Sequence, residues 1–297
     1  MNIKEIKKLK VGKIIENIDL KEYTTYKAGG KGRLLVIPSS VEQLMRLIDY
    51  IKTNNIKYKV LGNGSNLLFS DELYDGILIK LDSFNDIDIT GKEIRVGAGF
   101  SLIKLALIAA RNGLTGLEFA SGIPGTVGGA IYMNAGAYKS DMGYIVKSVK
   151  VLTPNFEIKE LSNKQMNYHY RTSFLQNNPG YICLETTLKL QYGNKETILA
   201  VIRDRKKRRL ESQPLEFPSA GSVFRNPTDM YAGKLIEDLG YKGKKIGNAM
   251  VSEKHANFII NTGNAKANDI RKLILEIRDK VKEKYDIELK IEQEFVD

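Results

Sequence analysis

Cysteine occurs once in this chain, as Cys183, and histidine only twice, as His169 and His255. A lone thiol closes no intramolecular disulfide and builds no zinc site. Cys183 falls in the apolar run YICLETTLKL, so a buried, inert thiol is expected rather than a nucleophile. The two histidines lie far apart and lack ligand spacing, so no metal centre is expected. No stretch approaches the roughly 20 apolar residues that a membrane-spanning helix needs. The basic start MNIKEIKKLK is not followed by the apolar segment of a signal peptide. The expectation is a cytoplasmic protein without a membrane partner. A Walker motif, internal repeats and low-complexity linkers are also missing.

What is present begins with charge. Lys and Arg outnumber Asp and Glu by 46 to 35, a formal +11. That excess suits an anionic partner, whether nucleic acid, membrane or a phosphorylated small molecule. The densest basic run, at residues 203–209, spreads around a helix, and a solvated face is its plainer reading. No nucleic-acid-binding signature accompanies it. A length of 297 residues calls for two or three lobes.

Patterning predicts a strand over 33–37 and a Ser40-capped helix over 41–53. Strands follow at 58–62, 76–81 and 93–98, then a helix over 101–112. Further strands are predicted at 145–153, 156–160 and 181–190, and a helix at 195–211. Pro214 and Pro218 punctuate a boundary. Beyond them come a short helix near 232–239, strands near 249–252 and 257–261, a long helix over 265–285 and a closing half-exposed strand over 287–292. The order reads as α+β.

Two glycine loops suit a pyrophosphate. The first is Leu61, Gly62, Asn63, Gly64, Ser65 and Asn66, directly after a strand. Its glycines let backbone N–H groups approach an anion, and Ser65 and Asn66 add side-chain donors. Asn-Gly is equally a plain turn signal, so both readings stand. The third glycine of a Rossmann fingerprint is missing. The second loop is Gly122, Ile123, Pro124, Gly125, Thr126, Val127, Gly128 and Gly129. A helix opening near Gly125 would offer free N–H groups to a phosphate, and Gly128 and Gly129 would allow close approach of a cofactor. A glycine packing contact between sheets is the alternative.

The stretches LGNGSNLLFSD, GLEFASGIPGTVGGAIYMNAGAY, YRTSF, PSAGSVFRNP and AGKLIEDLGYKGKKIGNAMVSEKHANFIIN occur in this order over most of residues 23–292. Together they resemble the signatures of the UDP-N-acetylenolpyruvoylglucosamine reductases, in the short form lacking an extra substrate-domain segment. The resemblance implies an α+β fold: a two-lobed FAD-binding domain of the vanillyl-alcohol oxidase type plus a C-terminal α+β substrate domain. It implies an FAD-binding domain over 1–195, with lobes of about 1–90 and 91–195, and a substrate domain over 196–297. It implies noncovalent FAD, since neither glycine loop holds a His or Cys, and NADPH as co-substrate. The activity implied is reduction of an enolpyruvyl ether on a UDP-sugar to the lactyl ether, in peptidoglycan precursor synthesis; separately, a monomer is expected.

On the same resemblance Arg171 binds the substrate carboxylate, Glu292 assists enolate formation and Ser222 donates the proton. Arg225, Asn226 and Lys234, close to Ser222 in sequence, are candidates for substrate or diphosphate contacts. Gln293 follows Glu292 where the family has an aliphatic residue, and Glu294 lies on the same face by alternation, so the carboxylate could be either one. Phe224 replaces the second glycine of a nucleophile elbow, which argues against a serine hydrolase. The rival expectations are a flavin oxidase or dehydrogenase of the same fold, and a basic nucleic-acid-binding protein.

Overall fold

The computed structural model describes all residues, 1–297. Its contacts divide into two compact units. The first comprises Met1–Ile15, Leu34–Gly62 and Gly76–Lys207. The second comprises Glu16–Arg33, Asn63–Asp75 and Arg208–Asp297.

The first unit is built on helices over sheet. The helix Val41–Thr53 starts where the Ser40 side chain accepts from the Gln43 N–H, and it buries Leu44, Leu47, Ile48 and Ile51. Each such burial contributes about 1.5–3 kcal/mol. Strands Tyr58–Leu61 and Tyr74–Lys80 pair in parallel, with Tyr58 opposite Ile77. Within this unit residues 34–37 continue the sheet beside residues 76–80. A five-stranded sheet runs Ile158–Ser162, Val146–Leu152, Ile182–Lys189, Glu93–Gly97, Ile87–Thr90, antiparallel at every pairing. The helix Leu102–Arg111, capped by Ser101, presses Leu102, Leu105, Ala106, Ala109 and Ala110 into the interior. Cys183 is buried on its strand, and burial pushes its thiol up to about 12.

The second unit has its own core. The helix Ala267–Tyr285 supplies Ile270, Leu273, Ile274, Ile277 and Val281, the stripe its 3.6-residue periodicity predicts. Asp71 accepts from its first N–H groups, at Ala267 and Asn268, both at 2.9 Å. A three-stranded antiparallel sheet orders Lys245–Ile246, Ala249–Val251, Ile259–Asn261. The strand predicted over 287–292 is not one. Only a single bridge, Phe224 to Ile291, forms there, and the true closing strand is Glu294–Val296, parallel to Leu67–Phe69. The reason is that this segment changes partner: the Glu292 N–H is given to Val223, and the Glu294 N–H to Asn66. No helix is long and apolar enough to cross a membrane.

Candidate functional site

Leu61 ends a strand and is buried, and the chain then turns through Gly62 to Asn66. A Cβ on Gly62 would stand 2.7 Å from Thr126 Oγ1, so the two glycine loops touch inside the first unit. In the second unit Gly64 has φ +62°, and a Cβ there would stand 2.1 Å from the Tyr23 carbonyl oxygen. Glycine at 64 is therefore required by the chain's own packing. No protein acceptor takes the backbone N–H of Asn63, Gly64 or Ser65. Three successive N–H groups left in this way form an anion-binding concavity. Asn66 behaves differently from expectation. Its side-chain amide donates to the Glu292 carbonyl at 3.0 Å, and its own carbonyl accepts from Glu294 N–H at 2.9 Å.

The second loop corrects a sequence expectation. Its helix runs Val127–Met133 with Thr126, not Gly125, as N-cap. The helix start offers no free donors. Val127 N–H goes to Phe100 O at 2.9 Å, Gly128 N–H to Ala98 O at 2.8 Å, and Gly129 N–H to Thr126 Oγ1 at 3.3 Å. Gly125 N–H goes to Ile123 O at 2.8 Å, and Ile123 N–H to Ala120 O at 3.0 Å. The loop lies along residues 98–102, and that pairing consumes the N–H groups. Gly128 is needed for this packing, since its Cβ would meet that of Ala98 at 2.9 Å. Gly129 is exposed, and a Cβ there would meet only Thr126 Oγ1, at 3.4 Å. Gly122 is half-buried and Pro124 exposed.

Within the second unit the N–H donors at 63–65 suit the phosphates of FAD; within the first, Gly129 presents an open face. Leu61, Gly62 and Ile123 line the same turns. No thiol or imidazole in either loop provides a covalent attachment point.

Arg171 sits in the first unit at the tip of a two-residue turn. His169 and Thr172 exchange both backbone hydrogen bonds at 3.0 Å, and Arg171 adopts φ +55°. Left-handed backbone costs a non-glycine residue about 1–2 kcal/mol. The turn is held by the glycine-rich block. The Asn134 amide donates to the His169 carbonyl at 2.8 Å, and Ser173 Oγ to the Tyr132 carbonyl at 2.7 Å. Arg171 Nη2 donates to the Gly136 carbonyl at 2.8 Å, which orients the guanidinium.

In the second unit Ser222 is half-buried and follows Gly221, whose φ is +73°. The residues after it are clamped. Val223 N–H goes to the Asn257 carbonyl at 2.9 Å. The buried Asn257 side chain accepts from Phe224 N–H at 2.9 Å and donates to Phe224 O at 2.8 Å. Glu292 N–H donates to the Val223 carbonyl at 2.8 Å. Ser222 and Glu292, some seventy residues apart in sequence, thus lie on adjoining segments. Arg225 N–H reaches Lys290 O at 2.9 Å, and Asn226 Oδ1 accepts from Ala232 N–H at 3.1 Å, at the start of the helix Ala232–Asp238. Lys234 forms an exposed i,i+4 ion pair with Asp238 at 2.7 Å. Sequence reasoning missed Asn257, Gln293 and Tyr26, because a buried polar side chain that binds distant backbone leaves no local pattern.

Residues 33–162 match the FAD binding domain family, which makes this a flavin-binding protein. Residues 213–296 match the UDP-N-acetylenolpyruvoylglucosamine reductase C-terminal domain. The chain belongs to the UDP-N-acetylenolpyruvoylglucosamine reductase family. It is 44% identical to that reductase of Bacillus subtilis over 295 residues, covering 99% of this chain and 97% of the relative. With that of Caldanaerobacter subterraneus the identity is 48% over 287 residues, covering 97% and 94%. The crystal structure of UDP-N-acetylenolpyruvylglucosamine reductase from Thermus caldophilus superposes with a TM-score of 0.82 at 37% identity, covering 96% of this chain and 99% of that one.

Proposed function

We propose that this protein reduces UDP-N-acetylglucosamine enolpyruvate to UDP-N-acetylmuramate with NADPH, an oxidoreductase step of peptidoglycan precursor synthesis. Bound FAD supplies the relay that accepts hydride from NADPH and passes it to the vinyl methylene carbon. Asn63, Gly64 and Ser65 would hold its phosphates through backbone N–H groups, and Gly129 would leave room for it. The observation that carries the reading is the 2.8 Å hydrogen bond from Glu292 N–H to Val223 O, which puts Glu292 beside the Ser222 segment.

In this reading the chain's own residues manage one carboxylate and one proton. Arg171 pairs its guanidinium with the substrate carboxylate by two parallel hydrogen bonds. Glu292, protonated, donates to the oxygen that gains charge as the enolate forms. Ser222 Oγ then delivers its proton to the carbon bearing the ether oxygen. Arg225 and Asn226 serve the diphosphate, with Lys234 at its edge. Residues 1–195 are assigned to the cofactor and 196–297 to the substrate. We place the reaction in the cytoplasm, where NADPH is maintained, and take the working unit as a monomer. Supplying a wall precursor ties the step to cell shape and division.

Purified protein should be yellow and should oxidise NADPH only when the enolpyruvyl sugar is added, giving a product heavier by two hydrogens. Gly129→Glu should be colourless and inactive yet melt no lower than flavin-stripped wild type. Glutamate at this third helical position completes a capping box with Thr126, while its bulk and charge would close the open face that glycine leaves to the cofactor. Full flavin occupancy in that variant would remove Gly129 from the cofactor site. Oxygen-dependent NADPH consumption without sugar would favour an oxidase instead.

A further inference from the structure

We propose that Gln293 is a positioning residue that locks Gly221, and with it Ser222, against the segment carrying Glu292. This rests on the reading of Ser222 as proton donor. Gln293 is 4% exposed. Its Nε2 donates to the carbonyls of Ala220 at 3.1 Å and Gly221 at 3.3 Å, the two residues before Ser222. Its Oε1 accepts from the Tyr26 hydroxyl at 2.8 Å. Tyr26 is fully buried, and burial keeps its phenol protonated across the working pH range. The amide orientation is therefore determined. A phenolic proton points at Oε1, and two carbonyls, which only accept, face Nε2.

The backbone of this segment is fixed separately. Glu292 N–H goes to Val223 O, Glu292 O accepts from Asn66, and Glu294 N–H goes to Asn66 O. The Gln293 side chain therefore has no part in fixing its own backbone: its Nε2 is spent on the Ser222 loop, and its Oε1 is held by Tyr26. That loop needs holding. Gly221 is the most permissive residue type, sits at φ +73°, and has nothing within 4 Å on its Cβ side. Downstream, Asn257 clamps Val223 and Phe224. Upstream, the Gln293 amide is the corresponding restraint. Without it Gly221 can rotate, and the Ser222 hydroxyl moves relative to the carbon it protonates. A displacement of about 1 Å at a reacting group costs on the order of 10²-fold in rate.

The test compares Gln293→Leu with the double variant Tyr26→Phe/Gln293→Leu, which leaves no buried hydroxyl unpaired and so protects folding. Both should keep wild-type flavin content and a wild-type rate of reduction by NADPH. Reoxidation of prereduced enzyme by the enolpyruvyl sugar should slow by about 10- to 100-fold. Amide exchange at Ser222 and Val223 should quicken, with little change elsewhere. In a Ser222→Ala background the same substitution should change reoxidation less than about 2-fold, because residues acting through one another are not additive. Wild-type reoxidation in a folded Gln293→Leu enzyme overturns the inference while leaving the Ser222 reading intact. Equal slowing with and without Ser222 also overturns it, since a general structural role behaves that way. If Ser222→Ala alone reoxidises as fast as wild type, the proton-donor reading fails first and this inference falls with it.

Discussion

Prereduced Ser222→Ala enzyme, mixed with the enolpyruvyl sugar, is expected to reoxidise about 10²–10⁴-fold more slowly than wild type, the loss typical of a positioned acid. Its flavin content and its reduction by NADPH should be unchanged. The serine lies beyond the Pro214–Pro218 boundary, in the second unit, and hydride acceptance needs no proton at the sugar. Folding should also survive, because Val223 and Phe224 keep their bonds to Asn257 through backbone atoms and the Asn257 side chain. Ser222→Cys should recover part of the rate, since a thiol can still give up a proton. Stopped-flow absorbance reads both phases in the same sample. Reoxidation at the wild-type rate in the alanine variant would make Ser222 a turn residue. Loss of the NADPH phase alone would put it in the other half of the reaction.

The second large effect is expected at Glu292. Glu292→Gln should slow reoxidation by roughly 10²–10³-fold, the scale of losing one donor to a developing oxyanion. Glu294→Gln should stay within about 3-fold of wild type, as an ordinary half-exposed substitution does. The two carboxylates differ in where their backbones are tied. Glu292 N–H bonds to Val223, one residue from Ser222. Glu294 instead opens the strand Glu294–Val296, pairs with Leu67 and bonds to Asn66. Strand alternation alone treats the two carboxylates alike, and the change of partner between them separates them. A large loss in Glu294→Gln with a small one in Glu292→Gln would reverse the assignment.

Much of the scaffold was legible in local pattern. The stripe from Ile270 to Val281 and the cap at Ser40 predicted two helices close to their observed bounds, because periodic burial and capping are properties of neighbouring residues. The glycine loops were legible as places but not in their division of labour. Nothing local says that Gly64 is glycine because Tyr23 presses on it, or that Ala98 and Phe100 take the donors of Val127 and Gly128. The closing strand was misread over 287–292 because alternation continued where hydrogen-bonding partners changed. Gln293 showed in sequence only as a departure from an aliphatic position. Its meaning depends on Tyr26 and Ala220, 267 and 73 residues away.

The account turns on one flavin carrying hydride between two substrates, and an anaerobic titration tests that directly. NADPH added to the oxygen-free protein should bleach the yellow absorbance one-for-one, with no sugar present. One equivalent of the enolpyruvyl sugar should then restore the colour in a single turnover, leaving one equivalent of the lactyl product. A flavin that stays oxidised with NADPH, or one that bleaches but ignores the sugar and recovers only when oxygen is admitted, would contradict the account.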